Sequence, residues 1–402
     1  MKIRFISIYP LSILMVGLFT ALAGCDKDPA PPADVEPDTT STPTASIEEL
    51  KINELQTIGS HNSYRLATHK PIFELLVTNA PPGTSLDPEE WDYTHETLPT
   101  QFNSYGVRSI ELDIHHDPGG GLYANRQGNS WVGENTASGV PALDNPGMKV
   151  LHLPDADYNT NYLTFIDALT AVKSWSDANP NHLPLIVMVE LKTQNIPFPG
   201  FADVLPFTPT ALDSVDAEIE AVFGINLNKV ITPEDLKGNF ASINEAALNG
   251  GWPTLAEARG KIFFVAMASS SEKVNYMQGY PGLIGRTMFM FTDPGLPETA
   301  FTKFDDPVAN QDTIQSLVQA GYMLRTRTDA GTWEARSGDY ARMNMALSSG
   351  AQLVSTDYYR PDPRADTSSK WTNYAVSFPN NELAILNPVN GPMKFVGLTI
   401  TE

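Results

Sequence analysis

The residues best placed to do chemistry are acids and imidazoles that close short apolar runs. In Val107-Arg-Ser-Ile-Glu-Leu-Asp-Ile-His115, strand alternation puts Ser109, Glu111 and Asp113 on one face and Ile110, Leu112 and Ile114 on the other. With the apolar face against helices, the two carboxylates point into an interior, where they repel each other unless a cation sits between them. The plainer alternatives are a solvent-exposed strand face or a pair neutralised by arginine. Pro184-Leu-Ile-Val-Met-Val-Glu-Leu-Lys192 reads as a fully buried strand whose end carries Glu190 and Lys192 on one face, either at a site or as a structural ion pair. Ile58-Gly-Ser-His-Asn-Ser-Tyr64 ends another run; His61 and Asn62 would point apart in a regular strand, so the chain must turn for both to serve one site. Val150-Leu-His152, followed by Pro154, repeats the pattern of an apolar run ending in histidine.

Asn62, Glu111, Asp113 and Glu190 are four oxygen donors with no thiolate among them, a set that suits a hard cation. Calcium tolerates an irregular, carboxylate-rich shell with oxygens at about 2.3–2.6 Å. Zinc would prefer more imidazole or thiolate. His61 and His152 beside such an ion form a kit for phosphodiester cleavage, one imidazole serving the phosphoryl oxygen and the other protonating the leaving alkoxide.

The elements that must position these residues alternate between short apolar runs and amphipathic stretches, the pattern of β/α units. Strands are expected at Leu55–Gly59, Val107–His115, Met148–Leu153, Leu185–Leu191, Lys261–Met267, Met288–Phe291, Tyr322–Arg325 and Gln352–Ser355. Helices are expected at Leu163–Ala178, Ala211–Val222, Gln311–Ala320 and Tyr340–Ser348, and long surface loops at Pro81–Trp91 and Pro197–Pro206. Eight strands with helices between them predict an α/β fold, a TIM-type (β/α) barrel in one domain over residues 47–402; an open sheet fits the same pattern.

Bulk composition narrows the partners. The net charge of −21 disfavours nucleic acid and disfavours docking on anionic lipid through a basic patch. The single cysteine excludes an internal disulfide framework and a cysteine-built metal cluster. That cysteine follows a charged start at Lys2 and Arg4, an apolar run over Ile8–Leu22 and the small residues Ala23 and Gly24. The run is interrupted by Pro10 and short for a membrane span, so residues 1–24 read as a secretory signal. Leu22-Ala-Gly-Cys25 looks like a bacterial lipoprotein signal with Cys25 lipidated. Residues 25–46, rich in Pro, Asp, Ser and Thr, then form a disordered tether. The expected location is the bacterial cell envelope, facing the periplasm or exterior, and the expected state a monomer.

At Gly59–Tyr64 and Val107–Asp113 the chain resembles the X region of phosphoinositide-specific phospholipases C, closest to the bacterial calcium-dependent branch. The similarity continues through Tyr93-x-His95-x-x-Leu98-x-x-Gln101, Val150–His152, Pro184–Lys192, Ile231–Leu236, Gly251–Leu255, Arg259–Lys261 and Ser349–Tyr358, nearly the whole region after the tether. The resemblance implies a barrel, Ca2+ held by Asn62, Glu111, Asp113 and Glu190, and His61 and His152 as the acid–base pair. It implies attack of an inositol 2-hydroxyl on the adjacent phosphorus of a membrane phosphoinositide, releasing diacylglycerol and a cyclic inositol phosphate. Glu111 and Glu190 both remain open as the base, and the roles of the two histidines are interchangeable at this stage. Arg325, Arg327, Lys192 and Asp357 are expected around the substrate, although either arginine could instead pair with Asp329 or Asp357. His95, His115 and His116 are expected to serve packing or loop hydrogen bonding. Glu111-x-Asp113 and Glu190-x-Lys192 would also suit a glycerophosphodiester phosphodiesterase or a sphingomyelinase D-like enzyme, but the former typically carries Arg-Gly after its histidine where this chain has Asn62-Ser63. A non-catalytic, polyol-phosphate-binding lipoprotein is the remaining rival.

Overall fold

The computed structural model describes residues 45–79 and 87–402. The signal segment, Cys25 and nearly all of the tether lie outside the described residues. Ten strands form one sheet: β1 Leu55–Ser60, β2 Ser109–His115, β3 Lys149–Val150, β4 Leu185–Leu191, β5 Ile262–Met267, β6 Phe289–Met290, β7 Phe301–Lys303, β8 Met323–Arg327, β9 Leu353–Thr356 and β10 Ala384–Leu386. Eight of them run in the order β6-β5-β4-β2-β1-β9-β8-β7, every hydrogen-bonded pair parallel. A single parallel bridge between Phe291 and Phe301 brings the two ends together. The result is a nearly closed, irregular TIM-like barrel with helices outside.

Helices start where the sequence supplies caps. Thr164 accepts from Asp167 N at the head of Phe165–Ala178, and Thr208 accepts from Ala211 N, with Pro209 in the first turn of Pro209–Phe223. Their inner faces, with Leu169, Val172, Leu212 and Val215, share one apolar cluster with Ile110, Leu112 and Ile114 of β2. That burial commits the opposite face of β2 to the barrel interior, so Glu111 and Asp113 are turned inward and are almost wholly buried. Gly59 permits β1 and β2 to come together there, since a Cβ would meet Ser109 Oγ at 1.9 Å.

The barrel has the eight strands expected, but its membership differs at one place. Met148–Leu153 yields only Lys149–Val150, which pairs antiparallel with the end of β2 and lies off the barrel path. The eighth barrel strand is instead Phe301–Lys303, three residues whose apolar signal is too short to register. β10 also escapes the pattern; it caps β1 antiparallel, Leu55 opposite Leu386. Residues 193–208 contain no regular element before the helix at Pro209, as expected for Pro197–Pro206. No helix among the described residues is long and apolar enough to cross a membrane.

Candidate active site

Glu111 and Asp113 of β2 and Glu190 of β4 converge because the register sets Asp113 directly beside Glu190. Each of the three offers a carboxylate oxygen within 4.8 Å of the others. Asn62 arrives from the turn after β1. Its φ of 43° is left-handed, a conformation asparagine tolerates better than most residues, and this is the turn that His61-Asn62 requires. Ser63 pins that turn to β2, its N–H donating to Glu111 O at 2.9 Å and its Oγ accepting from Glu111 N at 2.8 Å.

The donor set fits a cation on the structure's own terms. Asn62 Oδ1 is buried without a hydrogen-bond partner, and the wholly buried Asp113 meets only the Lys192 ammonium, 3.0 Å from its Oδ2. Buried acceptors in that state are costly unless something positive meets them. Lys192 Nζ, 3.0 Å from Asp113 Oδ2 and 3.4 Å from Glu190 Oε1, is the positive group nearest these two acids, while Arg325 donates to Glu111 Oε2 at 2.9 Å. Burial, reinforced by Glu190 and Glu111, pushes Asp113 well above the usual carboxylate range against the pull of Lys192. Glu190, though burial opposes it, is drawn down by Lys192 and His61. The three acids fit a divalent ion, and the unpartnered Asn62 carbonyl offers a further oxygen from the turn after β1.

The histidines flank this cluster on different supports. His61, whose Nε2 lies 3.6 Å from Glu111 Oε1, donates through Nδ1 to Asp357 Oδ1 at 2.8 Å. Asp357 Oδ2 in turn accepts from Arg327 at 2.8 Å. Burial, then the charges of Arg327 and Arg325, hold the His61 imidazole well below its ordinary pKa. His152 donates through Nδ1 to Asp157 Oδ2 at 2.7 Å, and burial lowers its pKa against the support of Asp157. Its ring lies edge-on to Trp91, 5.6 Å between centroids. It opens into a cavity of about 590 Å³ lined by Trp91, Leu153, Ile196, Phe198, Phe201 and Val204, with Asp155, Lys192, Gln194 and Asn195 also in its wall.

Asn62, Glu111, Asp113, Glu190, His61 and His152 are thus placed around one barrel mouth, with Lys192, Arg327 and Asp357 among them. Arg325 is turned away from an open substrate position. Its guanidinium is buried between Glu111 and Asp305. Asp357 is buried too, committed to His61 and Arg327. His95 and His115 donate to the His61 and Leu151 carbonyls, at 2.8 and 3.0 Å, as loop hydrogen bonds. Three residues escaped sequence reasoning: Asp157, Arg65 and Trp91. Asp157 sits five positions after His152 in a turn that closes on itself, Asp157 N donating to Leu153 O at 2.9 Å. The acidic, proline-containing Leu153-Pro-Asp-Ala-Asp157 was the available signal.

A family model described as phosphoinositide phospholipase C, Ca2+-dependent, matches residues 50–388. Among solved structures, the calcium-dependent phosphoinositol-specific phospholipase C of a Gram-negative Pseudomonas species, in its apo form, is 16% identical. That match covers 79% of this chain and 92% of the other, with a TM-score of 0.48. The Ca2+-dependent phosphatidylinositol-specific phospholipase C of Streptomyces antibioticus is 18% identical over 77% of this chain and 95% of the other, with a TM-score of 0.46. No curated protein matches the chain significantly.

Proposed function

The chain belongs to the Ca2+-dependent phosphoinositide phospholipase C family of phosphodiesterases, and from that premise we propose that it cleaves the glycerol–phosphate bond of phosphatidylinositol-type lipids by attack of the inositol 2-hydroxyl. The observation that carries this reading is the cluster of Glu111, Asp113 and Glu190, with the unpartnered Asn62 carbonyl, set between two aspartate-bound histidines. Calcium held by these four residues would lower the pKa of the 2-hydroxyl and neutralise charge on the phosphoryl oxygens.

This chain's own residues supply the rest. The surroundings of the histidines support a division of the work that sequence left interchangeable. Around His61 lie Arg327, Asp357 and Glu111, a polar setting suited to a polyol ring and an anionic phosphoryl group. Around His152 lie Trp91, Phe198, Phe201 and Ile196, which suit the glycerol and acyl portion. His61 and Arg327 accordingly bind the phosphoryl oxygen and the developing charge. His152 gives its Nε2 proton to the departing glycerol oxygen. Glu111 or Glu190 takes the proton of the 2-hydroxyl. Lys192 lies between the acids and the cavity, positioned to meet the phosphate once it no longer neutralises Asp113.

Phosphorus NMR of phosphatidylinositol incubated with purified protein tests the reading. A cyclic inositol phosphate that forms with calcium and not with chelator is expected. Turnover unaffected by chelation, or preferential hydrolysis of glycerophosphoinositol, would overturn it. The motif at Cys25 extends the proposal to a lipid-anchored envelope enzyme; radiolabelled fatty acid should enter the wild-type chain and not Cys25→Ser.

A further inference from the structure

Asp157 belongs neither to the three-acid cluster nor to the cavity wall, yet both of its oxygens are engaged by buried donors. Its Oδ2 accepts from His152 Nδ1 at 2.7 Å, from Arg65 Nε at 2.9 Å and from Arg65 Nη2 at 2.8 Å. Its Oδ1 accepts from Thr68 Oγ1 at 2.7 Å. Arg65 and Asp157 are both 0% exposed. Arg65 is fixed in its turn by donating to the Tyr93 carbonyl at 2.8 Å and to Thr68 Oγ1 at 2.9 Å, and it lies over the Tyr93 ring at 4.4 Å. Although burial opposes it, Arg65, His152 and Thr68 together hold Asp157 down at about 2, so it stays charged at any working pH.

We propose that Asp157, held in place by Arg65 and Thr68, is the positioning residue that makes His152 a leaving-group acid. The inference rests on the functional reading above. Asp157 holds the Nδ1–H, leaving Nε2 as the edge that meets the cavity, and its charge supports the imidazolium form in which His152 carries the proton it gives up. In the step it serves, the inositol O2–P bond forms as the P–O(glycerol) bond breaks. The 2-hydroxyl proton goes to the base beside His61, and the glycerol oxygen takes the Nε2 proton of His152, which ends neutral. Asp157 touches none of the reacting atoms.

A leaving group that needs no proton separates this role from a merely structural one. The enzyme with calcium is assayed on phosphatidylinositol in detergent micelles and on a nitrophenyl ester of inositol phosphate, whose phenolate departs unprotonated. Asp157→Asn is expected to lower kcat on the lipid about 10²–10³-fold and on the aryl ester by less than about fivefold. Equal loss on both substrates would overturn the proposal. The second arm needs no variant: histidine 15N spectra of the wild-type protein, with His152 assigned through His152→Gln, should show the Nδ1–H tautomer at His152. An Nε2–H tautomer would overturn the proposal even if Asp157→Asn fails to fold. Wild-type protein that cleaves neither substrate would refute the parent function instead, while the spectrum still decides the arrangement of His152 and Asp157.

Discussion

On one side of the barrel mouth His61 is tied through Asp357 to Arg327; on the other His152 is tied through Asp157 to Arg65. The side-chain types agree and the settings do not. The His61 arm is built at strand ends, β1 leading into the histidine, β8 supplying the arginine and β9 leading into the aspartate, with Glu111 3.6 Å away. The His152 arm is built from turns, its ion pair wholly dry and its histidine facing an aromatic cavity. A dry ion pair contributes little net stability but is expensive to break from one side. One arm therefore shares its charges with the proposed cation site and the phosphate, while the other insulates a single proton donor from them.

The sharpest way to break this comparison is to remove each histidine and change the leaving group. His61→Ala should lower kcat about 10²–10⁴-fold on both phosphatidylinositol and the nitrophenyl ester, because phosphoryl charge develops with either. His152→Ala should match that loss on the lipid and keep the aryl ester within about tenfold of wild type. Identical profiles for the two variants would show that the arms do not divide the work. A smaller effect is expected from the cavity wall. Phe198→Asp should raise KM for long-chain phosphatidylinositol by about tenfold while leaving a soluble short-chain substrate nearly unchanged. Equal effects on both chain lengths would remove the cavity from the acyl side.

The two arms also differed in how legible they were. Glu111, Asp113 and Glu190 could be read because they interrupt apolar strands with period-two spacing, and burying one face forces the other inward. His61-Asn62 could be read as a turn for a similar reason. Asp157 and Arg65 could not, since they lie in loops where polar residues are the norm and only tertiary contact makes them a pair. The barrel shows the same divide. Long central strands such as Leu185–Leu191 announce themselves, whereas the three residues of β7 are strands only because β8 is there to pair with them. Met148–Leu153 is apolar without being a barrel strand because Met148 and Val150 pack into the main core and Leu151 into a satellite cluster with Tyr158.

Lys192 links the arms, being bonded to Asp113 on the cation side and lining the cavity on the other. As a built-in counter-charge it competes with a divalent ion for the same oxygens. Lys192→Met should tighten calcium binding by about tenfold in calorimetry at low salt, even as turnover falls for want of a phosphate partner. Unchanged or weakened calcium affinity would show that Lys192 helps to assemble the acids rather than competing for them.

The smallest expected effect concerns the foundation of the His152 arm. Glu218 Oε1 accepts from Met148 N at 2.8 Å, holding the chain just before β3 and His152. Burial raises this carboxyl to about 7 from an ordinary 4.5, only partly offset by the Met148 N–H and Lys149. The folded protein thus keeps a proton that the unfolded chain releases between those two values. The stability associated with protonated Glu218 is complete below about 4.5, declines as pH rises towards 7, and is absent above it. Glu218→Gln keeps the acceptor and removes the charge, so it should stabilise the protein at pH 8 by about 1–3 kcal/mol and change little at pH 5. Calorimetric scans at the two pH values test this, with a gain of a few degrees expected only at the higher one. No gain at either pH would mean that Glu218 titrates near its ordinary value and that the support of the His152 arm is open to water, while an equal gain at both would mean that the effect does not come from its charge.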